Sequence, residues 1–160
     1  MVYSGHSPAA DRLTLFFLES FRFHGALMAA GERLTAPVGL TAARWQVLST
    51  VARAKQPETV ANIGRIMGLA RQGVQRIANE LKISGMVRMA PNPHHKRAPL
   101  ICLTDAGTEA FRSITARQVP WANALAAQLD ADTIEQARLL MMALIELLGK
   151  SGSAPSYAAL

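Results

Sequence analysis

Five polar side chains between positions 71 and 79 carry hydrogen-bonding groups that can read base edges in a DNA duplex. An Arg guanidinium pairs with O6 and N7 of guanine, and a Gln or Asn amide pairs with N6 and N7 of adenine. Their spacing places them on one side of a helix, because apolar residues occupy the other side. The segment indicates either a base-reading face or an ordinary solvated helix surface. The polar set is Arg71, Gln72, Gln75, Arg76 and Asn79, and the apolar set is Val74, Ile77, Ala78 and Leu81.

A second predicted helix and a tight turn precede this segment. Apolar residues at helical spacing predict a short helix before Gly68, which supplies the turn. Residues 70–83 form the next helix, and Gly85 ends it as a C′ glycine. Two helices joined by a turn that contains Gly predict a helix-turn-helix motif. The apolar residues of the first helix are Val60, Ile63, Ile66 and Met67.

A hairpin is predicted directly after these helices. Residues 86–89 and 100–103 are short apolar runs typical of strands, and they enclose a polar loop that contains three prolines. The tip of this loop carries the candidate DNA-binding residues His95, Lys96 and Arg97. Basic side chains at such a tip can reach a minor groove, where narrow A·T-rich stretches attract Arg. The pattern therefore predicts a wing attached to the helix-turn-helix.

The basic charge is concentrated in the middle of the chain. The sequence has 17 Lys and Arg against 11 Asp and Glu, a net charge of +6. Ten of the basic residues and only two acidic residues lie between Arg44 and Arg97, so this segment carries +8. Such a segment indicates either a polyanion-binding surface or a solvated basic face. The candidates for phosphate contacts are Arg44, Arg53, Lys55, Arg65 and Arg88.

Long amphipathic helices are predicted at both ends of the chain. Residues 11–34 form one helix, and a helix over residues 41–54 follows with Thr41 as its N-cap. Thr104 caps a helix from Asp105 onward, in which Pro120 should cause a kink or an interruption. Asp130 caps a last helix that ends near Gly149. The end helices carry more apolar surface than a small core can cover, which predicts an interface with another subunit.

Composition and motif searches exclude several classes of protein. Half of the residues are apolar, yet no run is long enough to span a membrane, and the first residues do not resemble a signal peptide. One cysteine favours a reducing cytoplasm. Neither a P-loop nor a GxGxxG, HExxH or GxSxG motif occurs, so we expect no enzyme and no cofactor. His94 and His95 have no partner motif for a metal, and Cys102 is expected to be a core residue rather than a redox sensor.

The chain resembles the MarR family of winged helix-turn-helix transcriptional regulators, and the resemblance covers residues 40–108. It implies a mainly α fold with a β-hairpin wing, a helical dimerisation region from both chain ends, and a homodimer on a pseudo-palindromic operator. A repressor is the expected outcome, and a winged-helix protein-interaction adaptor is the alternative. The matching residues are Leu40, Thr41, Trp45 and Leu48, then Ile63–Leu69, Arg71–Ile77, Leu81, Gly85 and Arg97, and finally Leu103–Gly107.

The resemblance also implies a domain organisation and a pocket for a small aromatic effector. Residues 37–108 would bind DNA, residues 1–36 and 109–150 would dimerise, and residues 151–160 would form a flexible tail. Aromatic residues at helical spacing are also typical of an ordinary core. The candidates for the effector pocket are Phe17, Phe21, His24 and Trp45.

Two positions depart from the family pattern. His95 stands where such proteins often carry an acidic residue two positions before the wing arginine, Arg97. Ala70 stands where a Ser or Thr commonly opens the recognition helix, so the first amides of that helix are expected to lack a side-chain cap. Neither departure affects the predicted base-reading residues.

Overall fold

A computed structural model describes residues 5–150, and the predicted tail at residues 151–160 lies outside this description. The chain divides into two compact units, the first ending at Gln118 and the second beginning at Val119. The mainly α architecture with a small hairpin is confirmed. In chain order the elements are α1 (Pro8–Thr35), a 3₁₀ turn (Ala36–Val38), α2 (Ala42–Arg53), β1 (Glu58–Thr59), α3 (Val60–Met67), α4 (Arg71–Ile83), β2 (Val87–Ala90), β3 (Leu100–Leu103), α5 (Asp105–Ala126) and α6 (Ala131–Lys150).

Polar side chains at the N-cap positions set where most of these helices begin. The hydroxyls of Thr41, Thr59 and Thr104 each accept a backbone N–H three residues ahead, at 3.2, 3.3 and 3.1 Å. Asp130 Oδ2 accepts the N–H of Thr133 at 2.8 Å. The predicted caps Thr41, Thr104 and Asp130 are therefore confirmed. α4 begins after Ala70 without a side-chain cap, as the sequence predicted.

The predicted start of the first helix at Asp11 is wrong, because α1 begins at Pro8. Ser7 Oγ accepts the N–H of Ala10 at 3.2 Å and caps the helix. Proline is well suited to the first turn, where its missing N–H would have no partner within the helix. The Ser–Pro pair therefore sets the start, and Asp11 lies in the first turn.

Of the kink or interruption predicted at Pro120, the interruption is wrong. α5 is continuous from Asp105 to Ala126 with Pro120 inside it. Proline removes one backbone donor from a helix. That single loss does not end this helix.

The core of the first unit is built around the apolar side of α4. Val74, Ala78 and Leu81 have no exposed surface, and Ile77 keeps 6%, so the predicted back face of α4 is confirmed. Val47, which the periodicity did not single out, is also fully buried. These side chains join α2, α3 and the sheet in a single cluster.

The sheet has three antiparallel strands, and β3 lies between β1 and β2. The β2–β3 register pairs Val87 with Leu103 and Ala90 with Leu100, which confirms the predicted hairpin. We call this hairpin and its loop, residues 87–103, the wing. β1 pairs Glu58 with Ile101 and so connects the start of α3 to the wing.

The root of the wing is held tightly against the start of α5. A Cβ atom at Gly107 would lie 1.9 Å from the carbonyl oxygen of Met86, so the position has no room for a side chain. Thr104 Oγ1 donates to the carbonyl of Gly85 at 2.6 Å, and the N–H of Thr104 donates to the carbonyl of Met86 at 3.1 Å. Gly85 follows α4 with a φ of +72°, as a C′ glycine should. These contacts fix the wing relative to the end of α4.

The second unit, from Val119 to residue 150, is largely apolar and largely exposed. Leu144 is half-buried, whereas Leu148 keeps 59% and Ile145 keeps 70% of its surface exposed. Among the residues that the structure describes, no helix is both long and apolar enough to cross a bilayer.

Candidate nucleic-acid interface

α4 presents a continuous polar face to solvent. Arg71, Gln72, Arg76 and Asn79 are exposed and Gln75 is half-buried. These five side chains line one shallow depression of about 530 Å³. The structure therefore brings together all five residues predicted from the helical spacing. Their side chains project from a helix whose opposite side is fixed in the core.

Two hydrogen bonds organise this face within α4. Gln75 Nε2 donates to Asn79 Oδ1 at 3.0 Å, so these two amides are already oriented toward each other. Arg76 donates from one terminal nitrogen to Glu80 Oε1 at 2.7 Å. Both pairs are four residues apart, which is the spacing at which side chains meet on a helix.

Glu80 also connects α4 to α2. Its Oε2 accepts a hydrogen bond from Arg44 Nε at 2.9 Å, so the two carboxylate oxygens have one Arg partner each. The hydrogen bond from Arg44 is the main cause that lowers the pKa of Glu80 below its ordinary value of 4.5. The charge of Arg76 lowers this pKa further, against a partial desolvation that raises it. Glu80 is therefore an ionised bridge between two arginines.

The loop of the wing is folded around Asn92. Asn92 Oδ1 accepts the N–H of His94 at 2.9 Å, and Asn92 Nδ2 donates to the carbonyl of Ala98 at 2.9 Å. The N–H of His95 donates to the carbonyl of Asn92 at 3.2 Å. One side chain thus closes the loop across its width and leaves the residues of the tip outside.

The tip residues His95, Lys96 and Arg97 are all exposed. His95 Nδ1 accepts a hydrogen bond from the backbone N–H of Arg97 at 3.3 Å. The histidine thus contacts the backbone of Arg97, whereas the acidic residue expected at this position would orient the guanidinium. The guanidinium of Arg97 projects from a turn that His95 helps to shape.

A groove of about 590 Å³ connects α4 with the wing. Arg71 and Gln75 of α4 line it together with Asn62 of α3 and with His95 and Arg97 of the wing. None of the described residues that line it is acidic. Base-reading and wing candidates from distant parts of the sequence therefore meet in one basic groove, although Lys96 does not line it.

The predicted phosphate contacts have different environments. Arg44 keeps only 33% of its side chain exposed and is bound to Glu80. Arg65 is exposed and donates to Asn62 Oδ1 at 2.8 Å. The remaining candidates, Arg53, Lys55 and Arg88, are exposed.

A separate cavity of about 440 Å³, widely open to solvent, lies at the surface of the first unit. Of the four effector-pocket candidates, His24 and Trp45 line it, whereas Phe17 and Phe21 do not. Phe21 keeps 72% of its surface exposed, and Phe17 packs edge-on against Phe16 with ring centroids 6.3 Å apart. The full lining is His24, Trp45, Gln46, Ser49, Thr50, Arg53, Met67, Leu69 and Gln118.

Two polar atoms of the cavity-lining residues are buried without a hydrogen bond. They are Trp45 Nε1 and Ser49 Oγ, and neither has a partner within the described part of the chain. A buried polar atom without a partner costs free energy. Both residues contribute to the lining of the cavity, but these two atoms lie beneath its surface.

Sequence reasoning missed Glu80, Asn92 and Ser49. The spacing of Arg76 and Glu80 could have indicated their ion pair. The Asn92–Pro93 dipeptide could have indicated that Asn92 organises a turn. No local signal could have indicated the Arg44–Glu80 contact, because those residues are 36 positions apart.

The Glu80 bridge predicts an ordered response to substitution and to pH. Arg44→Gln should raise the pKa of Glu80 toward 4.5, and Arg76→Gln should raise it less, because Arg44 supplies the main lowering cause. A lowered pKa means that the carboxylate stabilises the fold above about pH 4.5 and that this stability is lost as the pH falls through the lowered pKa. Carboxyl ¹³C shifts measured against pH would report both effects.

Arg112→Gln is the control, since Arg112 lies on α5 and pairs with Glu109. It should leave the titration of Glu80 unchanged. Titration of Glu80 at or above 4.5 in the unsubstituted protein would contradict the bridge.

Comparison with known proteins gives matches over most of the chain. The sequence model of the MarR family matches residues 38–98. The uncharacterized protein Rv2011c of Mycobacterium tuberculosis is 36% identical over 129 residues, which cover 81% of this chain and 89% of that protein. The crystal structure of transcriptional regulator PA3341 has a TM-score of 0.75 at 22% identity, covering 84% of this chain and 98% of that one.

A further similar structure is Staphylococcus aureus MarR in complex with salicylate and kanamycin. Its TM-score is 0.71 at 18% identity, and the match covers 87% of this chain and 94% of that one. The family match begins just before α2 and ends in the loop of the wing, so it contains every residue that lines the described groove except Pro99. The chain belongs to the MarR family and has the fold of its winged-helix transcription regulators.

Proposed function

We propose that this protein is a sequence-specific, double-stranded DNA-binding transcriptional regulator. It acts as a homodimer on a pseudo-palindromic operator, most simply as a repressor, and a small molecule releases it. Regulators of this family are generally not enzymes. The observation that carries the proposal is the polar face of α4, formed by Arg71, Gln72, Gln75, Arg76 and Asn79.

A helix that reads bases directly must enter the major groove with suitable side chains facing the base edges. α4 is suited to this because its apolar side is already buried and cannot compete for the groove. Arg71 and Gln72 lie at its N-terminal end, the end that recognition helices usually direct to bases. The exposed Arg97 of the wing would enter an adjacent minor groove, with Lys96 beside it. Exposed Lys55, Arg65 and Arg88 would contact phosphates.

The homodimer is proposed from the exposed apolar surface of the end helices. Leu148 and Ile145 of α6 are 59% and 70% exposed, and Phe21 and Leu15 of α1 are 72% and 62% exposed. Apolar patches of this kind are typical of interfaces between subunits. Residues 1–36 and 109–150 would therefore form the dimerisation region around the DNA-binding part, residues 37–108.

The effector site is proposed at the cavity that Trp45 and Ser49 line. A small shift of the lining side chains would expose Trp45 Nε1 and Ser49 Oγ, which are buried without a partner, to an acceptor group of the ligand. Arg53 and His24 also line the cavity, and no acidic residue is among its described lining residues. The site therefore favours an aromatic molecule that bears a carboxylate. Salicylate, which the S. aureus MarR structure contains, is a suitable probe.

Replacement of Arg76 tests the DNA-binding proposal. Duplexes selected from a random pool by the unsubstituted protein should bind Arg76→Ala more weakly by about 1–3 kcal/mol, because one base contact is lost. Arg112→Ala is the matched control, since Arg112 is an equally exposed arginine on α5. Fluorescence anisotropy at fixed salt would measure both. Failure of the selection to enrich any sequence would favour the protein-interaction adaptor instead.

The dimer predicts opposite results for two Leu→Lys changes on α6. Leu148→Lys should shift the protein toward monomer, because it places a charge in the apolar patch. Leu139→Lys should not, since Leu139 lies about two and a half turns earlier, on the opposite side of the helix. Both leucines are exposed, at 59% and 51%. Sedimentation equilibrium would give the association constants, and equal behaviour of the two variants would contradict this interface.

The effector site predicts that salicylate weakens DNA binding and that Trp45→Phe removes this effect. Phenylalanine keeps one aromatic ring but has no N–H to donate. Trp121→Phe is the control, because Trp121 lies in the second unit and does not line the cavity. Anisotropy competition curves would measure release. If salicylate released the Trp45→Phe variant from DNA at the same concentration as it releases the unsubstituted protein, the proposed site would be contradicted.

A further inference from the structure

The proposed recognition helix contains one residue that disfavours DNA binding. Glu80 is the single acidic residue of α4, and Glu58 is the only other acid between Arg44 and Arg97. A carboxylate beside the phosphates of a duplex is repelled by them. The charge of an acid at this place therefore weakens binding to every sequence by a similar amount. The acid raises specificity only if it also improves binding to a particular sequence.

The contacts of Glu80 indicate that it improves base recognition by Arg76. One oxygen accepts from Arg76 at 2.7 Å and the other from Arg44 at 2.9 Å. The carboxylate is 29% exposed, Arg44 is 33% exposed and Arg76 is 69% exposed. The bridge thus has an inner arginine from α2 and an outer arginine on the base-reading face.

This arrangement orients the guanidinium of Arg76 before any DNA is present. Only one terminal nitrogen of Arg76 is bound to Glu80, so Nε and the other terminal nitrogen can still donate to a base. An arginine held in one plane loses less conformational freedom on binding. An oriented guanidinium also fits two acceptors at fixed positions on a base edge better than it fits phosphate oxygens at scattered positions.

Arg44 makes the bridge firm. Its Nε holds the second oxygen of Glu80, and its helix, α2, is anchored by the fully buried Val47 and Leu48. An isolated pair four residues apart on a helix surface is weak. A carboxylate shared between two helices constrains Arg76 more than such a pair does.

We propose that Glu80 is a positioning residue for base recognition: it holds the Arg76 guanidinium for readout and is itself held by Arg44. The inference rests on the proposed function of α4. Glu80 lowers general affinity for DNA and raises discrimination between sequences. Without it, Arg76 would turn to whichever phosphate is nearest.

The test uses the full-length protein and two duplexes of equal length, one selected from a random pool by the unsubstituted protein and one scrambled. The measured quantity is the discrimination ratio, which is the Kd for the scrambled duplex divided by the Kd for the selected duplex at one salt concentration. Glu80→Gln keeps the size of the side chain but removes its charge. It should lower the ratio about tenfold, because a base contact loses its geometry. Affinity for the scrambled duplex should be unchanged or higher.

A purely structural role for Glu80 would give a different pattern. It would reduce affinity for both duplexes together and lower the Tm measured by circular dichroism. In an Arg76→Ala background, Glu80→Gln should leave the ratio within about twofold, because the group to be positioned is absent. Glu109→Gln, which removes a charge from an exposed pair on α5, should leave the ratio unchanged.

Arg44→Gln provides a second variant that leaves Glu80 in place. It should lower the ratio about threefold, since the carboxylate loses its anchor on α2. An unchanged ratio in both Glu80→Gln and Arg44→Gln would overturn the proposal. The same tenfold drop of the ratio, caused by Glu80→Gln in the Arg76→Ala background, would also overturn it. Failure of the unsubstituted protein to select any duplex would instead remove the proposed function on which the inference rests.

Discussion

The burial of one side of α4 is the constraint on which the rest of this structure depends. Val74, Ala78 and Leu81 have no exposed surface, so the helix cannot rotate about its axis without exposing core. At about 3.6 residues per turn, this fixes which side chains face solvent. Arg71, Gln72 and Arg76 are thereby presented on a rigid support rather than on a flexible surface.

Around that helix, the basic surface is organised by a few polar contacts. Asn92 folds the loop of the wing so that Arg97 lies in the same groove as Arg71. Gly107 and Thr104 fix the root of the wing against the end of α4. Glu80, the acid within this surface, has both oxygens bound by arginines. In the proposed complex, charge density would attract the duplex, whereas these contacts set the geometry in which individual charges are presented.

Much of the fold could be predicted from the sequence because its signals are local. The apolar side of α4, the caps at Thr41 and Asp130 and the turn at Gly85 each follow from nearby residue types. The start of α1 depends on the Ser7–Pro8 cap, which lies before the apolar repeat begins, so the repeat alone places it too late. Of the two outcomes predicted at Pro120, a kink or an interruption, the interruption is wrong. Contacts between distant segments, such as Arg44 with Glu80, have no local pattern. The apolar stripe of α6 predicts an interface between subunits, because a small core cannot bury that much apolar surface, and this stays a prediction.

The central claim is that α4 enters the major groove of DNA. Cys102 is the only cysteine, so a Cys102→Ser, Gln72→Cys variant would carry a single attached iron–EDTA group on the face of α4. Cleavage of a selected duplex by this group, mapped on both strands, tests the claim directly. The account predicts two cleavage centres, each facing a major groove and separated by about one helical turn of 10 base pairs or a multiple of it. Uniform cleavage along the duplex, or cleavage centred only in minor grooves, would contradict it.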